Sequence, residues 1–136
     1  MAIHSLRGQL AANEKRRLIV DDGRFTDAHI VEGFEVWSQS VASGNDVEAL
    51  LAFERGGLSG SNDAGDNRQI GWSYQFIGTQ GGLQGSVIDP DHVVVRDLWI
   101  ENLAAVPCNY LVILRPRTIS EDQAVLALIK ERSQDV

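Results

Sequence analysis

Histidines and acidic side chains are the first residues of this sequence that could do chemistry. Asp27 and His29 are two residues apart, which on a strand places both side chains on one face, and Asp89, Asp91 and His92 form a second small cluster. Such side chains can meet to bind a metal, as in a cupin-like jelly roll, but the usual two histidines and a carboxylate on one strand are missing. Asp-Pro-Asp is also typical of a turn. We therefore expect no metal ligands, and keep a small cupin-like metalloenzyme with converging His29 and His92 as an alternative.

Two glycine-rich stretches, Gly56–Asn67 and Gly78–Gly85, have the composition of loops. The second has neither the G-x-G-x-x-G pattern nor a P-loop, so we expect no phosphate site there. The first offers oxygen ligands of the kind that calcium prefers, but no glutamate follows at the EF-hand spacing. We expect a polar loop without calcium, whose candidate ligands would be Asn62, Asp63, Asp66 and Asn67.

A nucleophile activated by a neighbouring base is not apparent. Cys108 is the one cysteine, which rules out an internal disulfide, and it follows Pro107 as a small apolar residue would at the start of a strand. No G-x-S-x-G elbow is present. Four glutamates could in principle pair for glycoside hydrolysis, but we expect them to be solvated: Glu32, Glu35, Glu54 and Glu101. The sequence predicts a protein that is not an enzyme, with no catalytic residue and no cofactor.

Aromatic residues suggest a binding alternative. Trp72 and Tyr74 alternate with polar residues and share a strand face with Ile70, so we expect them to lie in a core. Trp37 and Trp99 end their strands and are the candidate exposed contact residues. Small β-sandwich carbohydrate-binding modules use exposed rings of this kind, so a carbohydrate-binding or receptor-binding module is a second alternative.

Length and charge exclude several classes of protein. The 136 residues suit one domain, which we take as residues 1–136. Lysine and arginine number 12 and aspartate and glutamate 19, so the net charge is 12 − 19 = −7. This charge argues against nucleic-acid binding and against an anionic membrane surface. No apolar run is long enough to span a bilayer, and Met1–Leu10 lacks the apolar stretch of a secretory signal, so we expect the mature chain to start near Met1.

Short strands dominate the rest of the chain. The predicted strands are Arg17–Val20, Ile30–Trp37, Val47–Glu54, Gln69–Ile77, His92–Glu101 and Tyr110–Leu114. Val47–Glu54 also has helix-cap residues at its ends, although strand is favoured. The apolar phase shifts at Arg96-Asp97, which indicates a bulge or a twist, and Pro116 either stops the last strand or places it at an edge.

The two ends of the chain differ from its middle. Ser120 and Gln123 form a capping box, and an apolar stripe follows at Val125, Leu128 and Ile129, so the sequence predicts a C-terminal helix over 120–133. Residues 1–15 are an extended arm or a first edge strand. The predicted fold is all-β, a jelly-roll-like antiparallel β-sandwich of seven or eight strands with one C-terminal helix. Its expected core residues are Ile30, Phe34, Val36, Ile70, Trp72, Phe76, Val95, Leu111 and Ile113, with the helix stripe.

The order of strands and turns resembles that of small single-domain β-sandwich virion proteins of phages and environmental viruses. Four stretches carry the resemblance: RRLIVDDGRFTDAHIVEGFEVW, QIGWSYQF, VIDPDHVVVRDLWIEN and NYLVILRPRTISEDQAVLALIKERSQDV. The resemblance implies a viral structural protein, a capsid decoration (cement) or coat protein that is made in the host cytoplasm and resides in the virion. Its implied partners are itself, as a homo-oligomer that we take to be a trimer, and a major capsid protein or neighbouring subunits. The acidic charge favours an outer surface over one that faces the genome.

Overall fold

A computed structural model describes residues 3–20, 27–40, 45–78 and 81–118. These residues form eight strands and one short 3-10 turn at Arg55–Gly57. The strands are β1 His4–Leu10, β2 Lys15–Ile19, β3 Asp27–Ser38, β4 Val47–Ala52, β5 Gln69–Gly78, β6 Gly81–Ile88, β7 Asp97–Asn102 and β8 Cys108–Thr118. The helix predicted over 120–133 lies outside the described residues and stays a prediction.

The strands pair into two sheets, and every pairing is antiparallel. The small sheet has the order β1-β8-β3 and the large sheet the order β2-β7-β4-β5-β6. The described part of the chain is therefore nearly all β, as the strand-length apolar patterns predicted. The chain changes sheet repeatedly, so most strands pair with a strand that is distant in the sequence.

One apolar core lies between the two sheets. Side chains from both sheets are fully buried in it, among them Leu10, Phe34 and Val112 from the small sheet and Leu51 and Ile100 from the large one. Their burial is the main stabilising contribution, since each fully buried aliphatic or aromatic side chain contributes roughly 1.5–3 kcal/mol. The core predictions are right for Phe34, Val36, Ile70 and Val95, whereas Ile30, Leu111 and Ile113 are only half-buried.

The core prediction is wrong for two aromatic residues of strand β5, Trp72 and Phe76. Leu51 pairs with Gly71 but Ala52 pairs with Gln69, so Ile70 is an extra residue at a bulge. A bulge shifts the alternation of the residues that follow it. Ile70 is buried, but Trp72 is half-buried and Phe76 is 40% exposed on the outer face.

The predicted strand His92–Glu101 is also shorter than expected. Val94 pairs with His29 of β3 in the small sheet, whereas Leu98 pairs with Leu18 of β2 in the large sheet. One straight strand cannot pair with both sheets, so the shift of apolar phase at Arg96-Asp97 marks the crossing between them. Regular pairing of β7 begins only at Asp97.

Most of the glycine-rich stretch predicted as a loop is strand, because β5 extends to Gly78 and β6 begins at Gly81. Glycine is poorly suited to a strand, but Gly85 lies opposite Tyr74, and a methyl group there would come 2.8 Å from Tyr74 Oη. The tyrosine ring takes the space that a side chain would need. This cross-strand contact explains a glycine in a strand that the sequence alone assigned to a loop.

Residues 1–15 were predicted to be either an extended arm or a first edge strand. The structure shows an edge strand, β1, over His4–Leu10. Each residue from His4 to Leu10 pairs with β8 between Leu114 and Cys108. Beyond Leu114 the described part of β8 has only β3 beside it, and Pro116 lies in that portion opposite His29. A proline is tolerated there because the strand has an edge that needs no N–H donor.

Candidate functional site

A shallow groove crosses the outer face of the small sheet. Trp37 on β3 lies directly opposite Asn109 on β8, and Asn109 lies opposite Gln9 on β1. The three side chains form one row across three strands, about 10 Å long at the usual strand spacing. The groove has a volume of about 510 Å³, and the indole of Trp37 is 36% exposed beside it. A flat ring and two amides thus face solvent together.

A second row gives this groove its apolar floor and one charge. Leu111 on β8 lies between Glu35 of β3 and Arg7 of β1. Leu111 and Arg7 line the groove. Glu35 is at the far end of this row, outside the groove lining, and its carboxylate accepts a hydrogen bond from Ser86 of β6 at 3.2 Å. This groove, with the row of Trp37, Asn109 and Gln9, is called the Trp37 groove below.

Trp99 does not share this exposure. It packs on the outer face of the large sheet in a second apolar cluster, where it is half-buried. The cluster contains Leu50, Ala52 and Leu58 with Trp72, Trp99 and Leu103 around them. Of the two candidate contact residues, Trp37 is therefore exposed at a groove, whereas Trp99 packs against other side chains of the same chain.

The free edge of the large sheet is a second notable surface. Strand β6 ends that sheet, and the described residues place no strand beyond it. Phe76, Leu83 and Val87 are 40%, 65% and 63% exposed there, and Phe76 lies opposite Leu83 in the register. Strand β6 carries no charged residue and no proline. We call Phe76, Leu83 and Val87 with this strand the β6 strip.

The two histidines of the cupin alternative, His29 and His92, are both buried. Both ring nitrogens of His92 form hydrogen bonds with backbone groups. His92 Nε2 accepts a hydrogen bond from the Val31 N–H at 2.9 Å, and Nδ1 donates to the carbonyl oxygen of Asp89. Nδ1 carries the proton that it donates, and the lone pair of Nε2 accepts from a backbone N–H. Neither nitrogen of His92 is therefore left to coordinate a metal ion. His29 packs its ring against His4, 5.9 Å between centroids. Among residues 3–20, 27–40, 45–78 and 81–118, no group of three His, Cys, Asp or Glu side chains is placed to hold a metal ion.

In the loop Gly56–Asn67, polar side chains form hydrogen bonds with the neighbouring residues Arg68 and Gln69. Asp66 forms a two-pronged ion pair with Arg68, with both contacts at 2.9 Å. The hydrogen bonds from Arg68 hold the pKa of Asp66 below its ordinary value. Buried Gln69 accepts from Asp63 N–H and donates to the carbonyl of Gly57, at 2.8 and 2.9 Å. A cavity of about 400 Å³ lies beside this loop, and both carboxylate oxygens of Asp66 at its edge already accept hydrogen bonds from Arg68.

The remaining candidates for chemistry are dispersed. Cys108 is fully buried, and this burial raises the pKa of its thiol to about 11, which makes it a poor nucleophile. Glu32 forms an ion pair with Arg115 at 2.5 Å. Glu101, on the large sheet, accepts from the Gly60 N–H at 3.2 Å, while Glu35 is on the small one. These carboxylates do not face one another across a cleft.

Gln9 and Asn109 are the groove residues that sequence reasoning missed. Gln9 was in the stretch assigned to an arm or an edge strand, and Asn109 precedes an apolar run. The alternation of Ser5, Arg7 and Gln9 with Leu6 and Leu10 is the signal that could have placed a polar outer face there. What sequence could not supply is the order of strands that brings β1, β8 and β3 together.

Comparison with known proteins finds no matching family model, no matching curated protein and no matching solved structure. Within the part of the chain that the structure describes, no helix is long and apolar enough to cross a membrane.

Proposed function

We propose that this chain is a jelly-roll structural protein of a virus particle, a capsid decoration or coat protein that assembles with copies of itself on the shell. The strand orders β1-β8-β3 and β2-β7-β4-β5-β6 support the jelly-roll proposal, because an eight-stranded jelly roll would differ from them only in pairing β6 with β3 instead of β5. Viral shell proteins, lectins and cupins share this fold. The order of strands along the sequence, which resembles small virion proteins, favours the first of the three.

The observation that carries the proposal is the β6 strip. Natural proteins normally protect a free sheet edge with charges, proline or a covering element, because an unprotected edge pairs with other chains. Strand β6 has neither a charged residue nor a proline over Gly81–Ile88. Its exposed Leu83 and Val87 add apolar area to that edge. Such an edge is suited to a permanent contact with another subunit.

Charge also favours this surface for contact between copies. Two chains of net charge −7 repel each other over most of their surfaces. The β6 strip itself carries no charged residue, and among the described residues the Glu35 carboxylate reaches it only at Ser86, so a second copy meets less repulsion there than over most of the surface. We propose a closed ring, taken as a trimer, in which the β6 strip of each copy packs on the next copy, and a major capsid protein as the further neighbour.

The cupin alternative loses support because His92 uses both ring nitrogens on backbone groups. The carbohydrate alternative keeps one of its requirements, an exposed tryptophan at a groove.

Sedimentation and light scattering over a concentration series test the assembly. We expect a discrete oligomer for the wild type and a monomer for Leu83→Asp, because a buried unpaired carboxylate would oppose the contact. Ile19→Asp is the matched control, since Ile19 is exposed to the same 65% at the opposite edge of the same sheet. Circular dichroism checks that each variant is folded. A wild-type chain that stays monomeric at every concentration would overturn the proposed assembly.

A further inference from the structure

We infer that the Trp37 groove binds a short uncharged oligosaccharide. This goes beyond a role in the shell and does not depend on it, because the groove is on the small sheet and the β6 strip is on the large one.

The exposed indole supplies the first requirement, a flat apolar platform. Tryptophan contributes a large contact area with little conformational freedom to lose. Trp37 presents this ring at the groove, with 36% of its surface exposed. The C–H faces of a pyranose ring are apolar and flat, so they fit against such a platform.

The amides supply the second requirement, groups that hydrogen-bond to hydroxyls. Gln9 Nε2 donates to Asn109 Oδ1 at 3.1 Å, which orients both side chains. Within the described residues, the side-chain oxygen Oε1 of Gln9 and the amino group Nδ2 of Asn109 make no hydrogen bond. A sugar hydroxyl is both donor and acceptor, so it can satisfy an amide carbonyl and an amide N–H alike.

The charge of the chain as a whole favours an uncharged ligand. Arg7 lines the groove, and Glu35, at the other end of the same row, offsets its charge within that row. The whole chain carries −7, which opposes the approach of sialylated or uronic-acid sugars and of nucleic acid. An apolar floor with a few polar groups is also the usual composition of a small-molecule site.

The groove is preformed by regular structure. All of its named side chains project from β1, β8 and β3, and a site built on strands holds its groups more accurately than one on loops. Its volume of about 510 Å³ is within the range of ligand sites.

A glycan microarray with neutral and anionic oligosaccharides tests the inference, using the full chain. Calorimetry with the best neutral oligosaccharide then gives the affinity per site. We expect wild type to bind neutral glycans, and Trp37→Ala to lose about tenfold or more, the effect of truncating an anchoring aromatic. Trp37→Phe should keep binding but lose the sugar-induced change in tryptophan fluorescence, because its ring remains and its indole does not. Gln9→Ala should weaken binding as well.

Ile19→Ala is the matched control, because Ile19 is an apolar residue, 65% exposed, on the β2 edge of the large sheet, outside both the Trp37 groove and the β6 strip. Its affinity per site should equal that of wild type. Three results would overturn the inference: no neutral glycan bound by wild type, equal binding by Trp37→Ala, or binding confined to anionic glycans. None of them bears on the oligomer, whose test changes Leu83 and uses a different measurement.

Discussion

Three backbone N–H groups of β3 reach across to side chains instead of to a neighbouring strand. Val36 N–H donates to Ser73 Oγ at 3.1 Å, and Ser38 N–H donates to Gln75 Oε1 at 2.9 Å. Val31 N–H donates to His92 Nε2 at 2.9 Å. Strand β3 is the edge of the small sheet, so these side chains satisfy donors that an edge would otherwise leave unpaired near the core.

Ser73 provides a test of this arrangement. We expect Ser73→Ala to lower the free energy of unfolding by about 1–3 kcal/mol, because the Val36 N–H would be left buried without its acceptor. Ser86→Ala is the control, since Ser86 is exposed and its hydroxyl donates to the Glu35 carboxylate at the surface, and a surface change of this kind costs less than about 0.5 kcal/mol. Urea denaturation measures both. Equal stabilities for the two variants would show that Val36 N–H does not need Ser73.

Cys108 makes stability depend on pH at the alkaline end. Its thiol has a pKa of about 11 in the fold against 9.0 for an unburied thiol. Between pH 9 and 11 the unfolded chain releases this proton and the folded chain keeps it, so stability falls as pH rises, by up to about 1.4 kcal/mol per pH unit. We expect Cys108→Ala to lose this contribution.

The measurement is the difference in unfolding free energy between wild type and Cys108→Ala across that pH window. Tyrosine and lysine titrate in both proteins and cancel in the difference. Parallel curves for the two proteins would contradict a thiol that is protected by burial.

At the scale of elements, β5 shows what alternation can and cannot predict. The alternating stretch from Gln69 to Ile77 predicted a strand, and the strand is there. It also predicted that Ile70, Trp72 and Phe76 share the core face, and this is wrong for the last two. The bulge at Ile70 is set by pairing with β4, and no local feature of the sequence specifies how a partner strand is registered.

Two glycine–tyrosine contacts across strands differ in how much room the ring has. A methyl group at Gly8 would come 2.9 Å from Tyr110 Oη, and one at Gly85 would come 2.8 Å from Tyr74 Oη. Tyr110 is buried and also held by Arg16, whereas Tyr74 is half-buried. We expect Gly8→Ala to cost about 1–3 kcal/mol, because a confined ring cannot move, and Gly85→Ala to cost less. Urea denaturation compares them, and a larger loss at Gly85 would contradict the explanation.

At the scale of the whole molecule, the sequence predicted the class and not the arrangement. Eight strands and antiparallel pairing agree with the turn-separated apolar stretches that the sequence contains. The sequence predicted only one residue of the groove, Trp37, from its position at the end of a strand. Its neighbours in the groove, Asn109 and Gln9, are separated from it by 109 − 37 = 72 and 37 − 9 = 28 positions in the sequence. Contacts over such separations depend on strand order, which local patterns do not encode.

The acidic charge should make assembly depend on salt. Copies that each carry −7 repel at low ionic strength, and salt screens this repulsion over about 10 Å at 0.1 M. An apolar β6 contact loses nothing by screening. We therefore expect the association constant to rise with sodium chloride in sedimentation experiments. An association that weakens with salt would indicate an interface held by ion pairs instead of the β6 strip.

The hydrogen bonds from Ser73, Gln75 and His92 to β3 have a geometric consequence. Apolar contact between two sheets is non-directional, so burial by itself permits one sheet to slide over the other. Hydrogen bonds weaken steeply with misalignment. The two bonds from β3 to Ser73 and Gln75 of β5 fix the stagger and the angle between the sheets, and the bond to His92 fixes the connection between β6 and β7 against β3. The outward faces therefore keep a constant orientation. Subunits held through their β6 edges in a closed ring would each present Trp37 at the same angle to the ring axis, as a symmetric array of identical indoles.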